Sequence, residues 1–312
     1  MVELIHASGK LKRAAALVLA LFLGLGSALA EEEAPLYQEN EWNFVDGAMD
    51  ISGGIPAEAS GVLGDIRDAG VLRVATEPYF APQEFIDPAL EGQESYVGPD
   101  MELARMIALR MGVALEIVPM EFQDVLPAVA GRKCDLAISA LSFTPGRAST
   151  YELSKGYYFA ESDAGSGIMI RAEDAEIITS LEDLKDRNIM AQSGSVQESL
   201  MAEHVPYYRE FRRVSTINEM YDALRRGETD AIALDSDTAL YYLETPAGAD
   251  FRLLGGVSFP QDEPYRGDRV AGRKGELELM YFVNGVINEL LESGQYLEWL
   301  AQAEKRAEEL GL

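Results

Sequence analysis

At 312 residues, with 47% hydrophobic and 25% charged residues, the chain has the length of two ordinary domains and the balance of a folded globular protein. Its 53 acidic residues against 26 basic ones give a net charge of -27, which repels nucleic-acid backbones and anionic membrane surfaces and excludes polynucleotide binding. The single cysteine, Cys134, excludes an internal disulfide; beside an apolar strand it reads as a buried structural thiol.

Residues 1–30 have the makeup of a signal peptide: basic Lys10, Lys12 and Arg13, apolar Ala14 to Leu25, and a small-residue cleavage site at Ala28-Leu29-Ala30. The apolar run is short for a membrane span, so export with cleavage after Ala30 is expected. No cysteine follows it to carry a lipid. Glu31 to Gly61 is acidic, lacks Lys and Arg, and is interrupted by Gly47, Gly53, Gly54 and Pro56. It reads as an extended or mobile arm on which Trp42 and Phe44 are candidates to dock.

Order begins at Val62 with a short helix to Asp68, a Gly70 stop and a strand over 71–75. A loop of aromatics and prolines, 76–88, precedes a helix opened by Gly98-Pro99-Asp100, with Leu103, Met106, Ile107 and Met111 at helical spacing. A strand over 115–118, a helix over 122–130 and a buried strand over 135–140 follow. Strands alternating with helices predict parallel βαβ units, whose ligands collect at the carboxyl ends of the strands. The loops at 77–85 and 139–147 fall there.

The second of these loops runs into a helix start at Thr144-Pro145, because threonine is a favoured N-cap and proline suits the first helical position. Arg147 lies in that first turn, where its charge adds to the positive end of the helix dipole. The placement becomes favourable with a bound carboxylate or phosphate, or with a neighbouring Asp or Glu; the local residues leave both open.

A second α/β series follows Tyr157-Tyr158-Phe159. It comprises a strand over 167–170, a short helix over 181–185 after Ser180, and strands over 188–191, 209–214 and 231–234. Helices over 196–203 and 217–226 alternate with them. Residues 262–267 read as a return connection, and amphipathic helices over 277–291 and 296–309 close the chain. The mature chain has one histidine, His204, read as a helix-end residue without a special role; no Cys or His stands at metal-ligand spacing, and no cofactor is expected.

From Val62 to Leu300 the order of features resembles the polar-amino-acid family of periplasmic solute-binding proteins that feed ABC importers. The resemblance rests on Gly70-Val71-Leu72-Arg73-Val74, Ala81-Pro82, the run from Gly98 to Ala104, Asp135-Leu136-Ala137-Ile138-Ser139, Thr144 with Arg147, and the run from Gly227 to Ala231. It implies an α/β fold of type 2 with two lobes, each a mostly parallel sheet flanked by helices, joined by two crossover strands. Lobe 1 is expected from 62–160 plus 265–312, and lobe 2 from 161–264.

The resemblance further implies that Arg147 clamps the α-carboxylate of an amino acid, helped by Ser142 and by backbone N–H groups at Thr144 and Ser195. Asp235 receives the α-ammonium group, with capping of the following helix as the other local reading. Phe80 and Phe122 pack on the ligand, Ser139 bonds the amine, and Gln197 lies near it. Glu77 matches an acidic position of members that take basic amino acids, and a structural salt bridge is its other reading. Ala140 stands where a hydroxyl is common, and Gln83 where an aromatic residue is common. The implied protein is a monomer in the periplasm that delivers an amino acid with a polar or basic side chain to inner-membrane permease subunits. The alternatives are a sensory binding protein, or an exported dehydratase acting on prephenate or arogenate with Glu77 or Glu84 as general acid.

Overall fold

The computed structural model describes residues 44–160, 165–205, 207–260 and 266–312. The expected signal segment, Trp42 and most of the return connection lie outside them. The described residues belong to one compact unit.

The first half runs α1 (Gly61–Ala69), β1 (Val71–Thr76), β2 (Tyr79–Phe80), β3 (Glu84–Ile86), β4 (Tyr96–Val97), α2 (Pro99–Met111), β5 (Ala114–Pro119), α3 (Phe122–Ala130), β6 (Leu136–Ala137), α4 (Pro145–Thr150) and β7 (Tyr151–Tyr158). The second runs β8 (Ser166–Arg171), β9 (Asn188–Gln192), α5 (Val196–His204), β10 (Glu210–Val214), α6 (Ile217–Arg225), β11 (Ala231–Asp235), α7 (Ser236–Glu244) and β12 (Phe251–Leu253). The chain then returns through β13 (Asp268–Arg273) to α8 (Leu277–Ser293) and α9 (Gln295–Leu310).

Two five-stranded sheets result, in the orders β5-β1-β6-β13-β7 and β10-β9-β11-β8-β12, with a small sheet β2-β3-β4 beside the first. Each large sheet is mixed, which corrects the expected mostly parallel pairing. Strands β5, β1 and β6 pair in parallel, and so do β10, β9 and β11. In the first sheet β13 pairs antiparallel with both β6 and β7; in the second β8 does so with β11 and β12. The added antiparallel strands include those that carry the chain from one sheet to the other, from β7 into β8 and back from β12 into β13.

The second sheet is apolar on both faces, as near-continuous hydrophobic strands require. Ile168, Ile170, Ile189, Ala191, Ala231 and Ala233 join one buried cluster, while the alternate residues Met169, Met190, Ile232 and Leu234 join another. In the first half, α2 buries Met101, Leu103, Ala104, Ile107 and Met111, and α3 buries Val125, Ala128 and Val129. Helix α8 is buried nearly all round because β7, α1 and α2 all pack on it.

Four expectations are revised. The strand at 135–140 keeps only Leu136–Ala137, because Ala140 takes a left-handed conformation (φ 43°) and its N–H is held by Asp100 Oδ2 at 2.8 Å. The 76–88 loop contributes β2 and β3. Leu181–Leu184 is a 3-10 turn, closed by a capping box between Ser180 and Asp183. The acidic arm is docked from Phe44 onward: Val45 N–H bonds Leu153 O at 2.8 Å, and Asn284 Nδ2 donates to Val45 O and Gly47 O, each at 2.8 Å. Phe44 lies under the Arg269 guanidinium, 3.9 Å from ring centroid to Cζ.

Candidate functional site

Between the carboxyl ends of the two sheets lies a cavity of about 130 Å³. A water takes about 10–15 Å³ by the same measure, so the space is of small-metabolite size. Its wall includes Phe80, Phe122, Ser139, Ser142, Arg147, Ser195, Gln197 and Asp235. Eight of the ten expected site residues therefore meet at one place; Thr144 and Glu77 do not line it.

Arg147 reaches the cavity from α4, whose N-cap Thr144 accepts the Arg147 N–H on Oγ1 at 3.0 Å. Its guanidinium donates to Ser142 O (2.7 Å) from Nη1 and to Gly194 O (3.2 Å) from Nη2, and it lies 5.8 Å from the Phe122 ring centroid. No carboxylate of the described residues pairs with it, so the neighbouring-acid reading is not realised. Burial lowers its pKa to about 10, partly opposed by the charge of Asp268, and it stays cationic at neutral pH. Of its five N–H donors two are engaged, and three remain for an anion. The N–H of Thr144 forms no bond among the described residues.

Asp235 ends β11 and begins α7. Its Oδ1 accepts from Asp237 N–H (2.9 Å), Thr238 N–H (3.1 Å) and Thr238 Oγ1 (3.4 Å), so the capping reading is realised. Its Oδ2 has no partner among the described residues. One carboxylate thus caps a helix with one oxygen and offers the other to the cavity. Burial raises its pKa to about 6, with the cap bonds acting against that rise.

On the second half, Ser195 Oγ caps α5 by accepting Glu198 N–H at 3.1 Å, and Gln197 Nε2 donates to Ser166 Oγ at 2.9 Å. The Ser195 N–H is turned to Gln192 O at 3.3 Å. The next two N–H groups, of Val196 and Gln197, open the helix, have no carbonyl within it to bond, and belong to residues of the cavity wall.

Behind the wall is a buried acidic network. Ser139 Oγ donates to Glu84 Oε1 (2.8 Å) and accepts Glu77 N–H (3.1 Å), leaving one lone pair for an amine. Asp100 accepts from Ala140 N–H and Tyr157 Oη on Oδ2, and from Tyr296 Oη on Oδ1, each at 2.8 Å. Burial and the charge of Asp100 push Glu84 well above the ordinary carboxyl range, and its Oε2 is buried without a hydrogen-bond partner among the described residues. Glu77 is 1% exposed, forms no salt bridge among the described residues, and has Oε1 without a partner among them; burial raises its pKa to about 8. These groups hold the Ser139–Ala140 turn from beneath.

The wall also contains Gln83, which sequence reasoning weighed as a departure from the family's pocket, and Tyr158, Gln192, Ile217, Met220, Thr238 and Asp268, which it did not assign to the site. For Tyr158 and Asp268 the available signal was their position at the ends of the crossing strands. His204 ends α5, and its ring stacks on Phe259 with centroids 5.0 Å apart. No group of metal-ligating side chains occurs among the described residues.

A two-sheet molecule with a ligand-sized cavity at the crossings, lined by opposite charges from the two halves, defines a solute-binding protein of the two-lobed type. Residues 72–302 match the model for bacterial extracellular solute-binding proteins, family 3, and the chain belongs to that family. It is 30% identical over 230 residues to the lysine/arginine/ornithine-binding periplasmic protein of Escherichia coli, covering 72% of this chain and 84% of the relative. A Streptococcus pneumoniae amino acid ABC transporter substrate-binding protein, solved with L-arginine bound, superposes with a TM-score of 0.69 at 30% identity. That alignment covers 79% of this chain and 98% of the other. An ancestral amino acid-binding protein, AncCDT-1, a precursor of cyclohexadienyl dehydratase, superposes with a TM-score of 0.65 at 28% identity, over 78% and 99% of the two chains.

Proposed function

We propose that this protein captures an amino acid in the periplasm and delivers it to the permease subunits of an ABC importer, after removal of residues 1–30. The observation that carries the reading is the placement of Arg147 and Asp235 on opposite halves of one cavity, each with donor or acceptor capacity left over. A zwitterion needs one cationic and one anionic site at fixed separation. Because the two sites belong to different lobes, 62–160 plus 265–312 and 161–264, the ligand bridges them and favours the closed arrangement through contacts made only there.

Arg147, Ser142 and the first N–H groups of α5 receive the α-carboxylate. Asp235 Oδ2 and Ser139 receive the ammonium group, and Phe80 and Phe122 flank the side chain. The E. coli relative is named for lysine, arginine and ornithine, and the S. pneumoniae structure holds L-arginine, which favours a basic amino acid. The protein acts as a monomer.

A dehydratase on this fold requires an acid that reaches the substrate. Glu77 and Glu84 are held protonated by burial, yet neither lines the cavity, so binding without chemistry is the better supported reading. A thermal-shift screen against the L-amino acids and prephenate tests it. An amino acid at a hundredfold excess over its dissociation constant stabilises the protein by about 2.7 kcal/mol, an effect lost in Arg147→Ala and Asp235→Ala. No shift with any amino acid, together with turnover of prephenate, overturns it.

A further inference from the structure

We infer that Asp268 is the residue that makes this cavity select a ligand with a second positive charge, beyond the one carried by any α-amino acid. The inference rests on the amino-acid reading above and names the ligand class: amino acids with cationic side chains over uncharged isosteres. Asp268 opens β13 at the return crossing, between the two parts of the first half that build the anion side. Its backbone bridges Ser142 on one side and registers with Tyr158 of β7 on the other. The preceding Gly267 makes the turn at φ 93°, and a Cβ there would lie 2.9 Å from Tyr158 O, so the turn that delivers Asp268 to the cavity floor excludes side chains.

The carboxylate lines the cavity, and no described residue hydrogen-bonds or ion-pairs with it. The adjacent Arg269 does not neutralise it at contact. That guanidinium lies over Phe44 and donates to Ser154 O (2.9 Å) and Arg266 O (3.1 Å). Arg147 acts on Asp268 only from beyond ion-pair distance, and its terminal nitrogens are bonded to Ser142 O and Gly194 O.

Charge balance then discriminates between ligands. A zwitterion matches Arg147 with its carboxylate and Asp235 with its ammonium group. The other two charged side chains in the wall, Asp237 and Arg266, are of opposite sign and together add no net charge. Asp268 is left. With a neutral side chain in a closed cavity it must stay desolvated and uncompensated, or hold a proton; a cationic side chain compensates it.

The test is calorimetric titration of the wild-type protein, Asp268→Asn and Asp268→Thr with L-arginine and with L-citrulline, its uncharged isostere. The expected result is that wild type prefers arginine by about thirtyfold or more, the loss typical of leaving one charge of a buried pair unmatched. Both variants should lose most of that preference, by weakening for arginine while citrulline binds at least as tightly as to the wild type, because the uncompensated carboxylate is gone. Equal weakening of both ligands, or a preference that survives both substitutions, overturns the assignment. Absence of any amino-acid binding by the wild type instead overturns the functional reading on which it rests.

Discussion

The Arg147 guanidinium donates across the cleft to the Gly194 carbonyl at 3.2 Å, while its other terminal nitrogen donates to Ser142 O of its own half. The residue proposed to clamp the ligand is thereby also a latch between the two halves. Lysine carries the charge but has a single nitrogen, which cannot serve Ser142 O, Gly194 O and both oxygens of a carboxylate together. Arg147→Lys is therefore expected to weaken amino-acid binding by about thirtyfold or more by calorimetry, the scale of truncating a buried charge pair. A change under threefold would remove Arg147 from the site.

Gly194 adds a steric condition to the same contact. It has φ 77°, and a Cβ built on it lies 3.1 Å from Gln123 Cα of the opposite half. The backbone atom it meets cannot rotate away. Gly194→Ala is expected to lower ligand affinity by roughly 1 kcal/mol, about fivefold, through the closed contact. The left-handed strain acts separately and shows in the melting temperature of the ligand-free protein. Unchanged affinity with a lowered melting temperature would mean that the halves do not close on this contact.

Asp235 predicts a pH dependence of binding. Burial raises its carboxyl to about 6, and an ammonium ligand requires the ionised form. Affinity should be level above about pH 6 and fall by up to tenfold per pH unit below it, since displacing the proton opposes binding. Asp237, Asp268 and Tyr158 lie nearby, so the control is Asp235→Asn, which should bind more weakly at neutral pH and lose this dependence. Calorimetry between about pH 5 and 8 measures both.

What was legible in the sequence is what local pattern determines. Helix α3 matches its apolar spacing from Phe122 to Ala130, and the Thr144-Pro145 start of α4 follows from capping chemistry alone. The opposite charges Arg147 and Asp235 were located through the family resemblance, and both line the cavity. The truncation of β6 was not legible, because the conformation of Ala140 is imposed by Asp100, forty residues earlier in the chain. Asp268 escaped for a similar reason: it reaches the wall only once β13 has returned from the second half and paired with β7. Tyr158 and Asp268 become neighbours through that long-range pairing, which no short window of residues contains.

Glu77 sets a second pH dependence, on stability. Its pKa rises from an ordinary 4.5 to about 8 because burial disfavours the charged form. Between those values the folded protein holds a proton that the unfolded chain has lost, so this group's contribution is complete below about pH 4.5 and declines as pH rises toward 8. Glu77→Gln removes the ionisation. The variant should therefore match wild type near pH 4.5 and exceed it by a few kcal/mol near pH 8, because stability falls by about 1.4 kcal/mol for each pH unit climbed between the two pKa values. Denaturant unfolding at the two pH values decides it; equal pH slopes for both proteins would show that Glu77 is ionised in the folded state.

Asn284 ties the segment after Phe44 to the body. Buried in α8, it donates through Nδ2 to Val45 O and Gly47 O, and accepts Lys155 N–H on Oδ1 at 3.1 Å. Alanine there leaves the buried Val45 carbonyl and the part-buried Gly47 carbonyl and Lys155 N–H without these partners, an expected loss of about 2–4 kcal/mol if they stay out of water. The segment instead has a less costly response, which is to detach, because Asp46, Gly47, Ala48 and Asp50 are already exposed to water. Limited proteolysis should then cut Asn284→Ala first between residues 44 and 59, at sites protected in wild type. Ligand affinity should change little, since this segment contributes no side chain to the cavity wall. Protection equal to wild type, with the full stability loss, would instead mean that the segment is held by Phe44 against Arg269 strongly enough to keep the unpaired groups buried.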